Sequence, residues 1–222
     1  MKKRAPGLEF EKKLLVRGFR RVAGVDEVGR GALAGPVVAG AVILLPEGSR
    51  AWLKGIRDSK QLTALQREEF FEPITAKALA WGVGLVEAAV IDTIGIVSAT
   101  RQAMRLAIEA LSAAPDALLI DFLTLPEFNL PQEGIVKGDE RSFSIACASI
   151  VAKVTRDRLM CELDGNYPGY GFAGHKGYAS AEHLACLRRL GPCPIHRRSF
   201  RPVREPSFNL GFSLKAPRAG RR

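Results

Sequence analysis

Three short apolar segments are each followed by a carboxylate, and this pattern constrains the fold more than any other feature of the chain. Segments 21–25, 117–120 and 134–137 have the length and apolar content of buried strands. The acids that follow them are, in chain order, Asp26, Glu27, Asp121 and Asp139. Turn-forming aspartates could produce this arrangement by coincidence. If the strands are neighbours in one sheet, the acids instead converge at its edge, where α/β proteins place their chemistry.

The first pair of acids leads directly into an arginine flanked by glycines, Gly29-Arg30-Gly31. In a regular strand Asp26 and Glu27 point to opposite faces, so we expect the chain to leave strand geometry near this point if both serve one ion. The glycines supply the necessary freedom. They also allow a polymer backbone to approach the peptide N–H groups while a guanidinium lies beside them. A solvated turn with a helix-capping acid is the alternative interpretation.

The rest of the chain alternates between strand and helix patterns. Segment 35–45 predicts a long buried strand, joined to the first strand as an antiparallel hairpin. Thr63 and Gln66 form a predicted capping box at the start of a helix that Pro73 kinks or splits. The other predicted elements are a strand at 81–87 and helices at 98–111, 142–163 and 180–190. The helix at 142–163 has small residues on one side, so we expect it to pack close to a sheet.

The length and composition of the chain are typical of a globular protein with one core. The 222 residues suffice for one substantial core with a helical appendage, and no apolar run approaches the roughly 20 residues of a membrane span. The basic N-terminus is not followed by an apolar stretch of signal-peptide length, so we expect a cytoplasmic protein. The four cysteines form no C-x-x-C pair and are expected to be reduced thiols. Cys193 and His196 lack the further ligands of a structural zinc site.

The charge of the chain favours a polyanionic partner. Its net charge of +10 and pI near 9.8 would add sequence-independent affinity for phosphates. Part of the excess lies in the tail at 215–222, which has no apolar periodicity and predicts a flexible basic end. A second basic stretch, at 196–201, is set among apolar residues and is the more interesting of the two.

The acid set indicates a metal-dependent nuclease. Carboxylates without histidine or cysteine partners favour hard cations such as Mg²⁺ or Mn²⁺. Two such ions about 4 Å apart would hold an attacking water and the leaving oxygen of a phosphodiester in line. A basic domain that only binds nucleic acid would use the charge equally well, but it would gain nothing from four carboxylates beside a polyanion.

Six ordered motifs closely resemble those of bacterial ribonuclease HII and span about residues 20 to 205. They are GVDEVGRG at 24–31, LAGPV at 33–37, DSK at 58–60, KGD at 137–139, ASIVAKVTRD at 148–157 and HKGY at 175–178. The resemblance implies an RNase H-like α/β fold, a mixed β-sheet flanked by helices, with a C-terminal helical extension. It also implies a metal-dependent endonuclease. Such an enzyme cuts the RNA strand of RNA–DNA hybrids and incises 5′ of a lone ribonucleotide in duplex DNA.

The resemblance also implies roles for individual residues. Asp26, Glu27, Asp121 and Asp139 match the metal-binding acids. Gly29, Arg30 and Gly31 match the segment that recognises the ribose 2′-hydroxyl, the group that distinguishes RNA from DNA. Tyr178 resembles the tyrosine that packs on the following deoxyribose and senses the RNA-to-DNA junction; a half-buried core tyrosine is the alternative interpretation. The residues expected along the phosphate path, or on a solvated basic face, are Lys60, Lys153, His175 and Lys176.

The sequence departs from the usual motifs at four positions, namely Val28, Ala32, Phe122 and Glu140. Phe122 follows Asp121 where a small residue is common, so its ring either crowds the second metal position or turns into the core. Asp157 lies within a motif on a helix, and we interpret it as a structural ion-pair partner rather than a ligand. A recombination nuclease of the same fold is a further alternative, which the ribose-sensing motifs argue against.

We expect four regions: an N-terminal extension at 1–18, a catalytic core at 19–165, a C-terminal helical substrate-binding region at 166–203 and a flexible basic tail at 204–222. No heptad run or long amphipathic seam is visible, which predicts monomeric action. Phe208 and Phe212 make the tail a candidate contact for a replication clamp.

Overall fold

The computed structural model describes residues 5–45, 55–56, 59 and 62–205. Its centre is a mixed five-stranded sheet with the strand order β3-β2-β1-β4-β5. The strands are β1 (Val22–Val28), β2 (Val37–Ile43), β3 (Ala80–Val86), β4 (Ala117–Asp121) and β5 (Gln132–Ile135). β1 to β3 are antiparallel neighbours, whereas β4 runs parallel to both β1 and β5. The predicted α/β class and the antiparallel hairpin are therefore confirmed.

Helices cover both faces of the sheet. One face carries α3 (Ala88–Ile94) and α4 (Ile96–Glu109), and the other carries α2 (Ala64–Lys77) and the long α5 (Phe143–Asn166). The backbone of α5 lies directly on the sheet, since a Cβ at Gly40 would come within 2.5 Å of the Ala148 carbonyl oxygen. The small residues of α5 thus pack as predicted. Because β2 is covered on both sides, all seven of its residues are buried.

The N-terminal segment contains a helix that the sequence pattern did not predict. Helix α1 (Glu9–Val16) buries Glu11 and Leu14. The Oε1 atom of Glu11 accepts hydrogen bonds from the hydroxyls of Ser142 and Ser144, at 2.6 and 2.7 Å, and from the Ser144 amide at 2.9 Å. Because Ser142 caps α5, this carboxylate fastens α1 to the N-terminal end of the longest helix. The short apolar face of α1 gives little periodic signal in the sequence.

Several predicted elements need correction. The helix expected at 98–111 begins at Ile96, and α3 precedes it, separated by Gly95. Helix α2 begins with the predicted capping box at Thr63 and continues through Pro73 as one helix rather than two. The third strand of the acid pattern lies at 132–135 instead of 134–137. Apart from α3, which no predicted element covers, these differences concern the bounds and continuity of elements, where local patterns are weakest.

The C-terminal region packs against the loop between β1 and β2. It contains α6 (Phe172–His175), α7 (Ala181–Leu190) and α8 (Arg201–Arg204). Its apolar side chains form two buried clusters that include Ala34 and Leu33 of that loop. Within the described residues, no helix is long and apolar enough to cross a membrane.

Candidate active site

Three of the predicted acids meet at one end of the sheet. Asp26, Glu27 and Asp121 each offer a carboxylate oxygen, and these oxygens all lie within 4.8 Å of one another. The strand register explains the meeting, because the last parallel pair between β1 and β4 is Val25 with Ile120. The next residue of each strand is an acid. Parallel neighbours that stop pairing at the same level therefore deliver Asp26 and Asp121 to the same place.

The expectation that the chain leaves strand geometry at Asp26 and Glu27 is wrong. β1 continues to Val28, and Glu27 is paired with Ala39 of β2. The two carboxylates still meet because the Asp26 side chain turns towards the following residue, its Oδ1 accepting the amide N–H of Glu27 at 2.8 Å. Glu27 has a side chain one methylene longer, which extends its reach. Side-chain conformation rather than a break in the strand brings the two acids together.

Asp139 lies beside this group in a 3₁₀ turn formed by Gly138–Glu140. The residue before the turn, Lys137, has a left-handed backbone conformation. The amide of Gly138, the first residue of the turn, donates to the Oδ1 atom of Asp121 at 2.6 Å. Asp139 is 4% exposed. The hydrogen bond to Asp121 ties this turn to the end of β4, so the fourth predicted acid is held next to the other three.

The acids repel one another in the folded protein. Burial, followed by the charges of Glu27 and Asp121, raises the pKa of Asp26 well above its usual range, and Asp139 adds to the same effect. A hydrogen bond from Ser149 of α5 acts in the opposite direction. Ser149 is linked in turn to the buried Ser59 hydroxyl at 2.8 Å. A hydrogen bond that lowers a carboxyl pKa favours the charged form, so Ser149 donates its one hydroxyl proton to Asp26 and accepts from Ser59.

This donor set fits a divalent cation. All of the group's atoms are carboxylate oxygens, the ligands that hard cations prefer, and their mutual repulsion would be relieved by positive charge. Within the residues that the structure describes, this is the single group of three or more acidic, histidine or cysteine side chains with such geometry. Cys193 and His196, which lack the further ligands of a structural zinc site, are hydrogen-bonded to each other, with Sγ and Nδ1 3.1 Å apart.

The glycine-flanked arginine begins a loop, residues 29–36, that connects β1 to β2; we call it the recognition loop. Gly29 has φ +86°, and a Cβ there would come within 2.2 Å of Nε of Arg156. Its amide N–H donates to the Tyr178 hydroxyl at 3.1 Å. Gly31 is different, because nothing lies within 4 Å of its would-be Cβ. Gly29 thus faces the protein and Gly31 faces open space.

The C-terminal region holds the recognition loop through backbone hydrogen bonds. Leu33 N–H donates to the Gly177 carbonyl at 2.8 Å, Gly35 N–H donates to the Ile195 carbonyl at 2.9 Å, and Arg197 N–H donates to the Leu33 carbonyl at 2.8 Å. The loop therefore lies between two C-terminal segments. Its conformation depends on residues more than 140 positions away in the sequence.

Tyr178 is fixed from three directions. Its hydroxyl accepts a hydrogen bond from the Gly29 amide, and its carbonyl accepts one from Nδ1 of His183 at 2.9 Å. The Arg156 guanidinium lies 5.3 Å from the centroid of its ring. The Lys153 ammonium is 5.9 Å from the same ring. The tyrosine is partly buried. The structure thus joins the two sequence motifs expected to read the ribose and the junction.

All three histidines of the chain lie in this region, and His183 and His196 form a directed chain of hydrogen bonds. Because His183 Nδ1 must donate to the Tyr178 carbonyl, its Nε2 accepts from His196 Nε2, 3.0 Å away. His196 Nδ1 then accepts from the Cys193 amide at 3.0 Å. Burial lowers the pKa of both histidines to about 4, which keeps them neutral. This series of hydrogen bonds ends at the Tyr178 carbonyl and so helps to hold the backbone of Tyr178 in place. No local pattern in the sequence indicates it.

The remaining basic residues occupy varied positions. Lys153 pairs with Asp157 at 2.6 Å, and Asp157 also lies 3.6 Å from Arg67, which confirms the structural ion pair predicted for Asp157. Both ring nitrogens of His175 have partners in the protein, the Tyr170 carbonyl and the Gly177 amide. His175 is therefore better placed to hold its loop than to contact a phosphate.

Three further predictions meet different outcomes. Lys176 has a left-handed backbone, and its ammonium donates to the Ala173 carbonyl. Lys60 lies outside the described residues. Phe122 has φ +60° and is 62% exposed, which excludes one of the two expected placements, the ring turned into the core. A left-handed turn directly after Asp121 directs this side chain to solvent instead.

The comparison with solved structures defines the class of protein. The crystal structure of ribonuclease H2 from Pyrococcus horikoshii OT3 is 27% identical, with a TM-score of 0.71, over 84% of this chain and 96% of that one. Ribonuclease HII from Archaeoglobus fulgidus, in its complex with PCNA, is 25% identical, with a TM-score of 0.66, over 80% and 92% of the two chains. The fold is the RNase H-like fold, and with the acid cluster it defines a divalent-metal-dependent nuclease.

The sequence comparisons specify the family. The family model for ribonuclease HII matches residues 23–203. A ribonuclease HII of Dehalococcoides mccartyi is 54% identical over 199 residues, which cover 90% of this chain and 94% of the relative. The chain belongs to the ribonuclease HII family and is a type 2 ribonuclease H, a phosphodiester hydrolase.

Proposed function

We propose that this protein cuts the RNA strand of RNA–DNA hybrids and incises duplex DNA 5′ of a single ribonucleotide, in the removal of primers and misincorporated ribonucleotides. The observation that carries the proposal is the juxtaposition of two sites along one stretch of chain. The acid cluster begins at Asp26, and the recognition loop begins three residues later. A nuclease that must cut beside a particular sugar needs its chemistry and its sugar-reading group at this short separation.

In this proposal Asp26, Glu27, Asp121 and Asp139 hold Mg²⁺ or Mn²⁺. Such ions lower the pKa of a bound water and stabilise the charge that develops on the phosphodiester. The chain's own contribution is to keep the carboxylates converged despite their repulsion. Ser149 supports this by donating to Asp26, and the Gly138 amide does so by donating to Asp121.

We assign sugar recognition to Gly29, Arg30 and Gly31, and the sensing of the RNA-to-DNA junction to Tyr178. The assignment is supported by the openness of the loop at Gly31 and by the bond between the Gly29 amide and the Tyr178 hydroxyl. Backbone N–H groups suit the reading of a 2′-hydroxyl, since they bind the sugar without reading the base. The phosphate path would run over Lys60, Lys153 and Lys176, with His175 holding the loop beside it.

The region at 19–165 would act as the catalytic core, and 166–203 would be the helical region that presents Tyr178. We propose that the protein acts as a monomer in the cytoplasm. The Archaeoglobus enzyme forms a complex with PCNA, which supports a clamp contact for this chain as well. The tail at 204–222, with Phe208 and Phe212, is the segment we propose for it; both phenylalanines lie outside the described residues. Deletion of the tail should leave the cleavage of short duplexes unchanged.

The test is cleavage of a labelled DNA duplex that carries one ribonucleotide, in Mg²⁺, in Mn²⁺ and in EDTA, beside an all-DNA duplex of the same sequence. We expect incision 5′ of the ribonucleotide in either metal, none in EDTA and an intact control. Tight binding without incision would indicate a module that only holds nucleic acid. Cutting of the all-DNA duplex would indicate a different nuclease of the same fold.

A further inference from the structure

The basic stretch at 196–201 contains an arginine that is buried rather than available to phosphates. Arg197 is 0% exposed, whereas its neighbour Arg198 is exposed. Its Nε and Nη2 atoms donate to the carbonyl oxygen of Gly35 at 3.0 and 2.9 Å, and its Nη1 atom donates to the carbonyl oxygen of Arg30 at 3.0 Å. One guanidinium thus binds a carbonyl near each end of the recognition loop, on the side of the loop that faces the protein interior.

This arrangement is costly, which argues against a purely structural role. A guanidinium without water loses much of its solvation energy, and an apolar side chain could fill a core position at lower cost. Burial, followed by the charge of Arg156, lowers the pKa of Arg197 to about 9. The planar fork of arginine presents five N–H donors in a fixed geometry, so one side chain can hold two separate carbonyls at set angles while it keeps its charge.

The bond to Arg30 has a direct geometric consequence for its neighbour. In a trans peptide the C=O of one residue and the N–H of the next point in opposite directions. When Arg197 holds the Arg30 carbonyl towards the interior, the amide N–H of Gly31 must point outward. This is also the position at which a Cβ would meet nothing within 4 Å. An outward amide with open space around it can receive a ligand oxygen.

A second buried arginine, Arg156, also donates to backbone carbonyls, but to different ones. Arg156, also 0% exposed, donates to the carbonyls of Ala34, Pro36 and Lys176 at 2.9 to 3.1 Å. It therefore holds the far end of the loop and the segment before Tyr178. Of the two arginines, Arg197 is the one that donates to a carbonyl within the triplet 29–31 itself.

We propose that Arg197 is a positioning residue for ribonucleotide recognition, because it holds the Arg30 carbonyl inward and so aims the Gly31 amide at the 2′-hydroxyl of the substrate. The proposal rests on the proposed sugar-reading function of the recognition loop. Arg197 does not contact the nucleic acid. It acts on the enzyme's preference for ribose over deoxyribose rather than on the affinity for the phosphate backbone.

The test compares Arg197→Lys with the wild type in its preference for ribose. The dissociation constants of two duplexes, identical except that one carries a single ribonucleotide, are measured by fluorescence anisotropy in Ca²⁺, after a gel has shown that neither strand is cut. The ratio of the two constants is the readout, because partial unfolding changes both equally. Arg198→Lys is the matched control, since it makes the same chemical change at an exposed neighbour.

We expect Arg197→Lys to reduce the preference about tenfold, the effect of one misdirected hydrogen bond, while the affinity for all-DNA duplex changes less than about twofold. Lysine keeps the charge but has no fork. Arg197→Gln should show the same loss and serves as the test if the lysine variant does not fold. Arg198→Lys should keep the wild-type ratio.

An unchanged ratio in the Arg197 variants, with a clear preference in the wild type, would overturn this inference and leave the proposed function intact. A wild-type ratio of one would contradict the sugar-reading role of the loop, and the role of Arg197 with it. The cleavage assay described above reports on the nuclease activity separately, so the two failures can be told apart.

Discussion

The acid cluster and the recognition loop are neighbours in the chain, but opposite forces hold them. At the cluster, like charges are brought together and repel, as the raised pKa of Asp26 indicates. Packing of the sheet overcomes this repulsion, and a cation would relieve it. At the loop, buried guanidiniums attract the backbone carbonyls of Ala34, Gly35 and Pro36, and the distances of 2.9 to 3.1 Å are those of good hydrogen bonds.

The difference indicates which property each region should govern. Substitutions that remove a charge from the cluster should abolish chemistry while preserving or even raising stability. Substitutions that break the buried contacts of the loop should lower stability and ribose preference together, because those contacts set the shape of its recognition surface. Four sets of variants can test this contrast.

The largest effect is expected for Asp121→Asn. We expect cleavage to fall by about 10³-fold or more, since several kcal/mol of metal-based stabilisation are lost. Asparagine retains an oxygen that can accept the Gly138 amide, so the unfolding free energy should stay the same or increase. Glu133→Gln, on the adjacent strand β5, is the control and should cleave normally. Full activity of Asp121→Asn in a steady-state assay would remove this acid from the catalytic set.

A methyl group at Gly29 should be far more disruptive than one at Gly31. Gly29→Ala combines a positive φ with a contact of 2.2 Å to buried Arg156, so we expect the unfolding free energy to fall by about 3 kcal/mol. Gly31→Ala has open space and should fold within about 0.5 kcal/mol of wild type. Its methyl would nevertheless obstruct a close approach of substrate.

Urea unfolding and duplex binding distinguish these outcomes. Gly31→Ala should lose about tenfold in affinity for the ribonucleotide-containing duplex, with normal stability, if the open space is the sugar site. Equal losses of stability in the two variants would show that both glycines serve the fold alone, and the contrast between them would fail.

Acidification should affect the two regions in opposite directions. His183 and His196 have folded-state pKa values lowered to about 4, so the unfolded chain binds more protons below about pH 6.5, and their contribution to stability is lost as pH falls towards 4. The pKa of Asp26 is raised, so the folded state binds this proton more readily than the unfolded chain, and acidification stabilises the fold at this group. We expect each of the two histidines to cost on the order of 2 kcal/mol between pH 7 and pH 5.

The histidine contribution can be isolated by comparing urea unfolding of the wild type with the double variant His183→Gln/His196→Gln at both pH values. The double variant should lose less stability on acidification. A pH dependence identical to that of the wild type would show that these histidines do not control the stability of the C-terminal region.

The smallest effect is expected for Tyr178→Phe. The ring remains, but the Gly29 amide loses its acceptor, which should lower the unfolding free energy by about 1 kcal/mol. Cleavage should fall only a few-fold if the ring, rather than the hydroxyl, contacts the sugar. Tyr167→Phe, outside the recognition loop, is the matched control. A loss of cleavage as large as that of Asp121→Asn would instead assign the hydroxyl a direct part in the chemistry.

Much of the fold could be predicted from local patterns. The capping box at Thr63, the alternation of β3 and the apolar run of β4 each depend on neighbouring residues, and each element appears where its pattern lies. Helix α1 was missed because its buried face has only two residues. The continuation of β1 through Asp26 and Glu27 was missed because pairing with β2 decides it, and the local pattern of β1 carries no information about that pairing.

The acid set, the α/β class and the glycines of the recognition loop could all be identified in the sequence, because strand ends and backbone freedom are local properties. Only the folded chain shows that Arg197 is buried under a loop 167 residues away, that Tyr178 meets Gly29 across 149 residues and that two histidines join to support it. A charged or aromatic side chain has the same local signal at the surface and in the interior. Which of the two it occupies depends on distant partners that are brought near only when the chain folds.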